Sequence, residues 1–169
     1  DDNLLLASGT ASGKTEAAFL PVLTHLWENP SNSVGALYLS PLKALINDQF
    51  ERLEGLLEEA AIPVTKWHGD ASAAAKKRVM KRPQGVIQTT PESLESMLMH
   101  NSSGAYRLFS DLRFIIIDEM HYFMDNDRGL QLLCLLERLA RLIGYHPRRI
   151  GLSATLGDCT SAVQWLNTD

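Results

Sequence analysis

Apolar positions along this chain alternate between two patterns. Short, nearly continuous apolar runs occur at 3–7, 34–39, 64–68, 85–89, 113–117 and 149–152. Runs of this length, bounded by Gly, Pro, Ser and Asp, read as buried strands. Between them lie longer stretches with helical spacing. Residues 14–27 place Ala17, Leu20, Leu23 and Trp27 on one face, and Pro21 predicts a kink or local break. Residues 42–60 carry a stripe of Leu42, Leu45, Ile46, Gln49, Leu53, Leu56, Leu57 and Ala60, with Ser40 as N-cap and Pro41 at the first helical position. A basic helix holds Lys76, Lys77, Arg78, Lys81 and Arg82, and its charges read as a solvated face. Thr90-Pro91 opens a helix through Met99, and Asn101–Gly104 reads as a turn before a short helix at 106–109. Residues 130–143 are apolar nearly all round, which predicts a well-buried helix, and 159–166 forms a last one. Strands alternating with helices six times predict an α/β fold with a mostly parallel sheet and helices on both faces.

The polar motifs have a common address. Each begins where a predicted strand ends, and in open α/β sheets that edge binds ligands. After the first strand comes Ser8-Gly9-Thr10-Ala11-Ser12-Gly13-Lys14-Thr15. A small-residue loop running into Gly-Lys-Thr at a helix start cradles phosphate with backbone N–H groups. Lys14 is placed for the β/γ-phosphates and the Thr15 hydroxyl for Mg²⁺. Ser8 and Ala11 stand where glycine is common, but both are small enough for close backbone approach. After the fifth strand comes Asp118-Glu119. Such a pair can hold a metal through Asp118 and deprotonate an attacking water through Glu119.

Bulk properties narrow the picture. The chain has 169 residues, enough for one domain with a proper core, and its 45% apolar and 21% charged content is that of an ordinary globular protein. No apolar run reaches the length of a membrane span. Cys134 and Cys159 lack metal-ligand spacing, Cys134 reads as a small core residue, and a cytoplasmic location is the default. A net charge of −4 means that any nucleic acid must be met by a local strip rather than a global field. The chain's ends suggest one lobe, residues 1–169, taken from a longer protein.

Gly-Lys-Thr, Ser-Pro-Leu-Lys, His-Gly-Asp, Thr-Thr-Pro-Glu-Ser-Leu, Asp-Glu-Met-His and Ser-Ala-Thr follow one another in this order. The set resembles the first RecA-like lobe of a superfamily 2 helicase of the DEAD/DEAH-box kind. The wording at 40–45 and 89–94, with Arg128-Gly129 and 150–155, is most similar to Lhr-type (large helicase-related) DNA helicases. The resemblance implies a three-layer RecA-like P-loop NTPase domain that uses ATP and Mg²⁺. Gly9, Thr10, Ala11, Ser12, Gly13, Lys14 and Thr15 would bind nucleotide, with Thr15 and Asp118 on the metal and Glu119, Asp118 and Lys14 in catalysis. His121, Ser153 and Thr155 would couple nucleotide state to nucleic acid and to a second RecA-like lobe. Pro41, Leu42, Lys43, Gly69, Asp70, Thr90, Pro91 and Glu92 would hold the backbone of a single strand, DNA in preference to RNA, without base readout. The family's adenine-recognition segment and the second lobe's arginine finger lie outside the chain, so the lobe alone is expected to turn over poorly. An RNA-dependent DEAD-box ATPase and a non-catalytic nucleic-acid-binding lobe remain alternatives, as does a small-molecule P-loop kinase, which leaves the Ser-Ala-Thr and Thr-Thr-Pro-Glu loops unexplained.

Overall fold

The computed structural model describes residues 2–9, 13–154 and 159–168, with side chains undescribed at 49, 50, 52–54, 56, 58 and 59. Strands β1 (Leu4–Ala7), β2 (Ala36–Leu39), β3 (Val64–Trp67), β4 (Val86–Thr89), β5 (Phe114–Ile117) and β6 (Arg148–Ser153) form one sheet. Its order is β1-β6-β5-β2-β4-β3, and every pairing is parallel. Helices are α1 (Lys14–Glu28), α2 (Lys43–Glu59), α3 (Ala73–Lys81), α4 (Pro91–His100), α5 (Ser102–Phe109), α6 (Asp127–Ile143) and α7 (Cys159–Leu166), and a 3₁₀ turn occupies Met120–Tyr122.

Strand alternation divides the core into two layers. Ala36, Tyr38, Val86, Ile116, Ile150 and Leu152 point to the α1 side and pack with Phe19, Val22, Leu26 and Leu57. Leu37, Leu39, Ile87, Ile115 and Ile117 point the other way, onto Leu94, Leu108, Leu132 and Leu136. The two faces make three layers, as the motif order implied. In register, Leu39 pairs with Ile117 and Thr89, and Ala7 pairs with Ser153. The strand ends therefore align, and the loops that follow them share one edge.

Several helix faces differ from the sequence expectation. The buried face of α1 is Thr15, Ala18, Phe19, Val22, Leu23 and Leu26, while Leu20 and Trp27 are 50% and 68% exposed. This helix carries two competing apolar stripes, and the one through Phe19, Val22 and Leu26, a position before Leu20, Leu23 and Trp27, meets the sheet. It runs through Pro21 unbroken because that turn faces solvent, where water can satisfy the carbonyl left without an amide. Helix α2 starts at Lys43 rather than Leu42, and Leu42 is half exposed. Helix α6 begins a turn early, where the Asn126 side chain caps the Gly129 N–H at 3.1 Å. It is buried on one side only. Leu130 and Cys134 are exposed, so Cys134 is not a core residue. The expected turn at 101–104 is the start of α5, capped by Asn101. Strand β1 is only partly buried because it lies at the sheet's edge.

Candidate nucleotide site and nucleic-acid groove

Strand β1 and helix α1 flank the small-residue loop expected to cradle phosphate. The Ser8 N–H donates to the Ser153 carbonyl at 3.2 Å, which ties the loop's entry to the end of β6. Gly13 closes the loop with φ 77°, a left-handed backbone that a side chain rarely adopts, and so turns the chain into α1. Lys14 folds back over the loop, its Nζ donating to the Ser8 and Gly9 carbonyls at 2.6 Å each. Thr15 is buried in the helix's first turn. Thr10, Ala11 and Ser12 lie outside the described residues.

The acid pair follows β5, two strands from β1. The Asp118 N–H joins the Leu39 carbonyl at 2.8 Å and extends the sheet by one bond. Its carboxylate is buried and takes hydrogen bonds from the Tyr38 hydroxyl and from the Glu119 N–H at 3.0 Å. Burial pushes the Asp118 carboxyl above the usual range and the Glu119 charge adds to that, against the Tyr38 and Glu119 hydrogen bonds and the attraction of Lys14. Glu119 itself adopts a left-handed backbone at φ 47°. That conformation is uncommon for a residue with a side chain. It drops Met120 into full burial against Gly151, where a Cβ would overlap the methionine sulfur. His121 then lies with Nδ1 at 3.2 Å from Ser153 Oγ and 3.3 Å from Glu119 Oε2. The hydrogen-bond alignment is to the serine, leaving Glu119 Oε2 buried with no hydrogen bond among the described residues. Thr155 lies outside the described residues.

The loops after β2, β3 and β4 meet in a second feature. A groove of about 520 Å³ is lined by Pro41, Leu42, Lys43, Gly69, Thr90 and Glu92, joined by Trp67, His68 and Lys76. Lys43 Nζ holds Asp70 Oδ2 at 3.0 Å, and its hydrogen bond and charge keep that carboxyl below its usual range. Asp70 sits beside the groove rather than lining it. Thr90 caps α4 through the Ser93 N–H, and Pro91 is buried at its first position. His68 is 5% exposed, and neither ring nitrogen has a hydrogen-bond partner among the described residues. Burial lowers its pKa, with Asp70 opposing and three lysines adding to the effect.

Three contributors are not visible in the sequence pattern. Tyr38 reaches Asp118 only because β2 lies beside β5. Lys76 leaves the solvated face of α3 and crosses to the His68 carbonyl at 2.6 Å, over the Trp67 ring. Arg128, noted only as part of a word pattern, bonds to Glu92 and Pro41. Tyr38 and Arg128 depend on strand order, which local sequence does not carry, and Lys76 on how α3 folds back against the end of β3. A larger cavity of about 650 Å³ opens at the opposite edge of the sheet. Its Arg113, Tyr145 and Arg148 are already bonded to backbone carbonyls, and none of the six motifs reaches it.

The sequence model of the DEAD/DEAH box helicase family matches residues 1–162. The chain is 36% identical to the ATP-dependent helicase Lhr-Core of Methanothermobacter thermautotrophicus over 91% of its length, covering 19% of that protein. Among solved structures it is similar to the Mycobacterium smegmatis helicase Lhr bound to single-stranded DNA and AMP-PNP (35% identity, TM-score 0.80, 95% of this chain and 22% of that one). It is also similar to the DUF1998 helicase MrfA bound to DNA and AMPPNP (30% identity, TM-score 0.85, 98% of this chain and 23% of that one). The chain thus spans about a fifth of the length of these relatives.

Proposed function

The chain belongs to the DEAD/DEAH box helicase family, and on that premise we propose that it is the nucleotide-binding lobe of an ATP-dependent DNA helicase or translocase whose second RecA-like lobe lies elsewhere in the parent protein. The observation that carries this reading is the placement of Lys14, on its loop carbonyls, and the buried Asp118 at the same sheet edge, near enough for the lysine charge to bear on the carboxyl. When ATP binds, Lys14 exchanges the Ser8 and Gly9 carbonyls for phosphate oxygens, and the N–H groups at the start of α1 complete the cradle. The Thr15 hydroxyl and the Asp118 carboxylate are hard oxygen donors suited to Mg²⁺. Bound Mg²⁺ would neutralise developing phosphate charge. Glu119, with one oxygen free of hydrogen bonds among the described residues, takes the proton of the water whose oxygen attacks the γ-phosphorus as ADP leaves. His121 and Ser153 join that carboxylate to the end of β6, and thereby to the second lobe and nucleic acid.

The groove beside Lys43, Gly69 and Thr90 would hold the backbone of one strand through lysines, hydroxyls and main-chain N–H groups. DNA is preferred because the relatives Lhr and MrfA have been solved with it. No described helix is long and apolar enough to cross a membrane, and the free cysteines Cys134 and Cys159 suit a cytoplasmic protein.

The test is ATP hydrolysis by the full-length protein without nucleic acid, with single-stranded DNA and with single-stranded RNA. Stimulation by DNA is expected. Stimulation by RNA alone would move the assignment to an RNA-dependent ATPase, and no response to either would leave a binding lobe. The 169 residues alone should hydrolyse ATP poorly, since the charge on the transferred phosphoryl group lacks its arginine from the other lobe.

A further inference from the structure

The segment between the acid pair and α6 is built more tightly than a connector needs. Asn126 Nδ2 donates to the Tyr122 and Met124 carbonyls at 3.0 and 2.8 Å, and Asn126 Oδ1 accepts from the Gly129 N–H. Asp125 is left-handed at φ 56°. Gly129 lies so close under the Phe123 carbonyl that a Cβ would overlap its oxygen. The product of this turn is one side chain in a fixed place, Arg128.

Its guanidinium touches three chain segments. Nε and Nη2 both bond to Glu92 Oε1, at 3.0 and 2.7 Å, in the first turn of α4. Nη2 also donates to the Pro41 carbonyl at 2.6 Å, in the loop after β2. The guanidinium carbon lies 5.4 Å from the centre of the Phe123 ring, just past the 3₁₀ turn that follows the acid pair. Pro41 and Glu92 both line the groove and sit after the neighbouring strands β2 and β4. Arg128 does not line it. From outside the lining it bridges the two loops.

We propose that Arg128 is the positioning residue of the nucleic-acid groove: its planar fork fixes the Pro41 loop against the Glu92 helix start and ties both to the turn after Asp118-Glu119. The role rests on the reading of this groove as the nucleic-acid path. It calls for arginine specifically. Bonds in two directions from one flat group, with a ring stacked beneath, lie outside the reach of a lysine ammonium.

The experiment uses full-length protein, a single-stranded DNA oligonucleotide and the variants Arg128→Ala and Arg128→Lys. Three quantities are read: the DNA concentration giving half-maximal ATPase stimulation, the affinity for AMP-PNP, and the thermal unfolding midpoint. Both variants should need at least about tenfold more DNA, the scale of one lost charge-assisted hydrogen bond, while AMP-PNP affinity stays as in wild type. A lysine variant equal to wild type would show that only the charge matters and would overturn the proposal. So would two variants that respond to DNA as wild type does, or that lose thermal stability and AMP-PNP affinity together with DNA response. Should Arg128→Ala not fold, Arg128→Lys alone separates the same outcomes. A wild type that neither binds DNA nor responds to it would overturn the functional reading and this inference with it.

Discussion

At the edge where the strands begin, Arg113 donates to the Asn29 carbonyl at 2.7 Å and its Nε lies 3.4 Å from Asp111. Asp111 in turn accepts from the Asn32 N–H at 2.8 Å, and Tyr145 donates to the Leu112 carbonyl at 2.9 Å. At the edge where the strands end, Lys14 rests on two loop carbonyls. There, among the described residues, Glu119 keeps a buried oxygen without a hydrogen bond, and His68 keeps two such nitrogens. One edge uses its polar groups to close the chain on itself. The other holds them close to each other with capacity to spare, while each edge has a left-handed non-glycine residue, Ala61 before β3 and Glu119 directly after β5. Saturated hydrogen bonds belong to stability. Spare capacity suits a proposed ligand-binding edge.

The contrast can be broken by substitution. Of the substitutions that contrast the edges, the largest effect is expected from Lys14→Ala, which removes the cation proposed to face the phosphates. Hydrolysis by the full-length protein should fall by roughly a hundredfold or more, on the scale of losing a preorganised charge at the reacting group, with the unfolding midpoint nearly unchanged. Calorimetry and a turnover assay on one preparation check both halves. Arg113→Ala should do the reverse. It should cost about 2 kcal/mol, the scale of hydrogen bonds made by a charged group, or about 4–8 °C in unfolding midpoint for a domain of this size, with AMP-PNP affinity preserved. A variant that keeps its midpoint but loses nucleotide would erase the distinction between the edges.

The smallest effect concerns pH. Burial raises the Asp111 carboxyl, but the Asn32 N–H and Arg113 outweigh it and hold the pKa below its ordinary value of 3.8. A depressed acid stabilises the fold above its unfolded pKa, and that contribution is lost as pH falls through the folded value. Asp111→Asn should therefore cost on the order of 1 kcal/mol at neutral pH. Denaturant titrations should show the gap from wild type closing as pH drops below about 4. A gap that stays constant down to about pH 3 would mean that the charge is not what Asp111 contributes.

How much of this could be read from the residues follows the same division. Strand positions were legible because each is a short apolar run ending in a polar motif, and one shared edge then followed from parallel topology. The Gly13-Lys14-Thr15 and Asp118-Glu119 motifs could be picked out as candidate sites because the chemistry proposed for them needs fixed residue types in a local order. Helix faces were less legible. In α1, Leu20 and Trp27 compete with Phe19 and Leu26 for the sheet, and only packing decides between the two stripes. Cys134 was misplaced for the same reason, since α6 has more apolar residues than its buried side can take. The contacts of Tyr38 with Asp118, and of Arg128 with Pro41 and Glu92, were out of reach. They depend on β2 lying between β5 and β4, and crossover order leaves no mark in local sequence.

The most direct test of the division between the edges is the rate of ATP hydrolysis by full-length Glu119→Gln with saturating single-stranded DNA, against wild type. Removing the proposed base while keeping its shape should lower the rate by about 10²–10⁴-fold, in a protein that unfolds at the wild-type temperature. A variant hydrolysing ATP at close to the wild-type rate would contradict the assignment of the strand-end edge as the catalytic one.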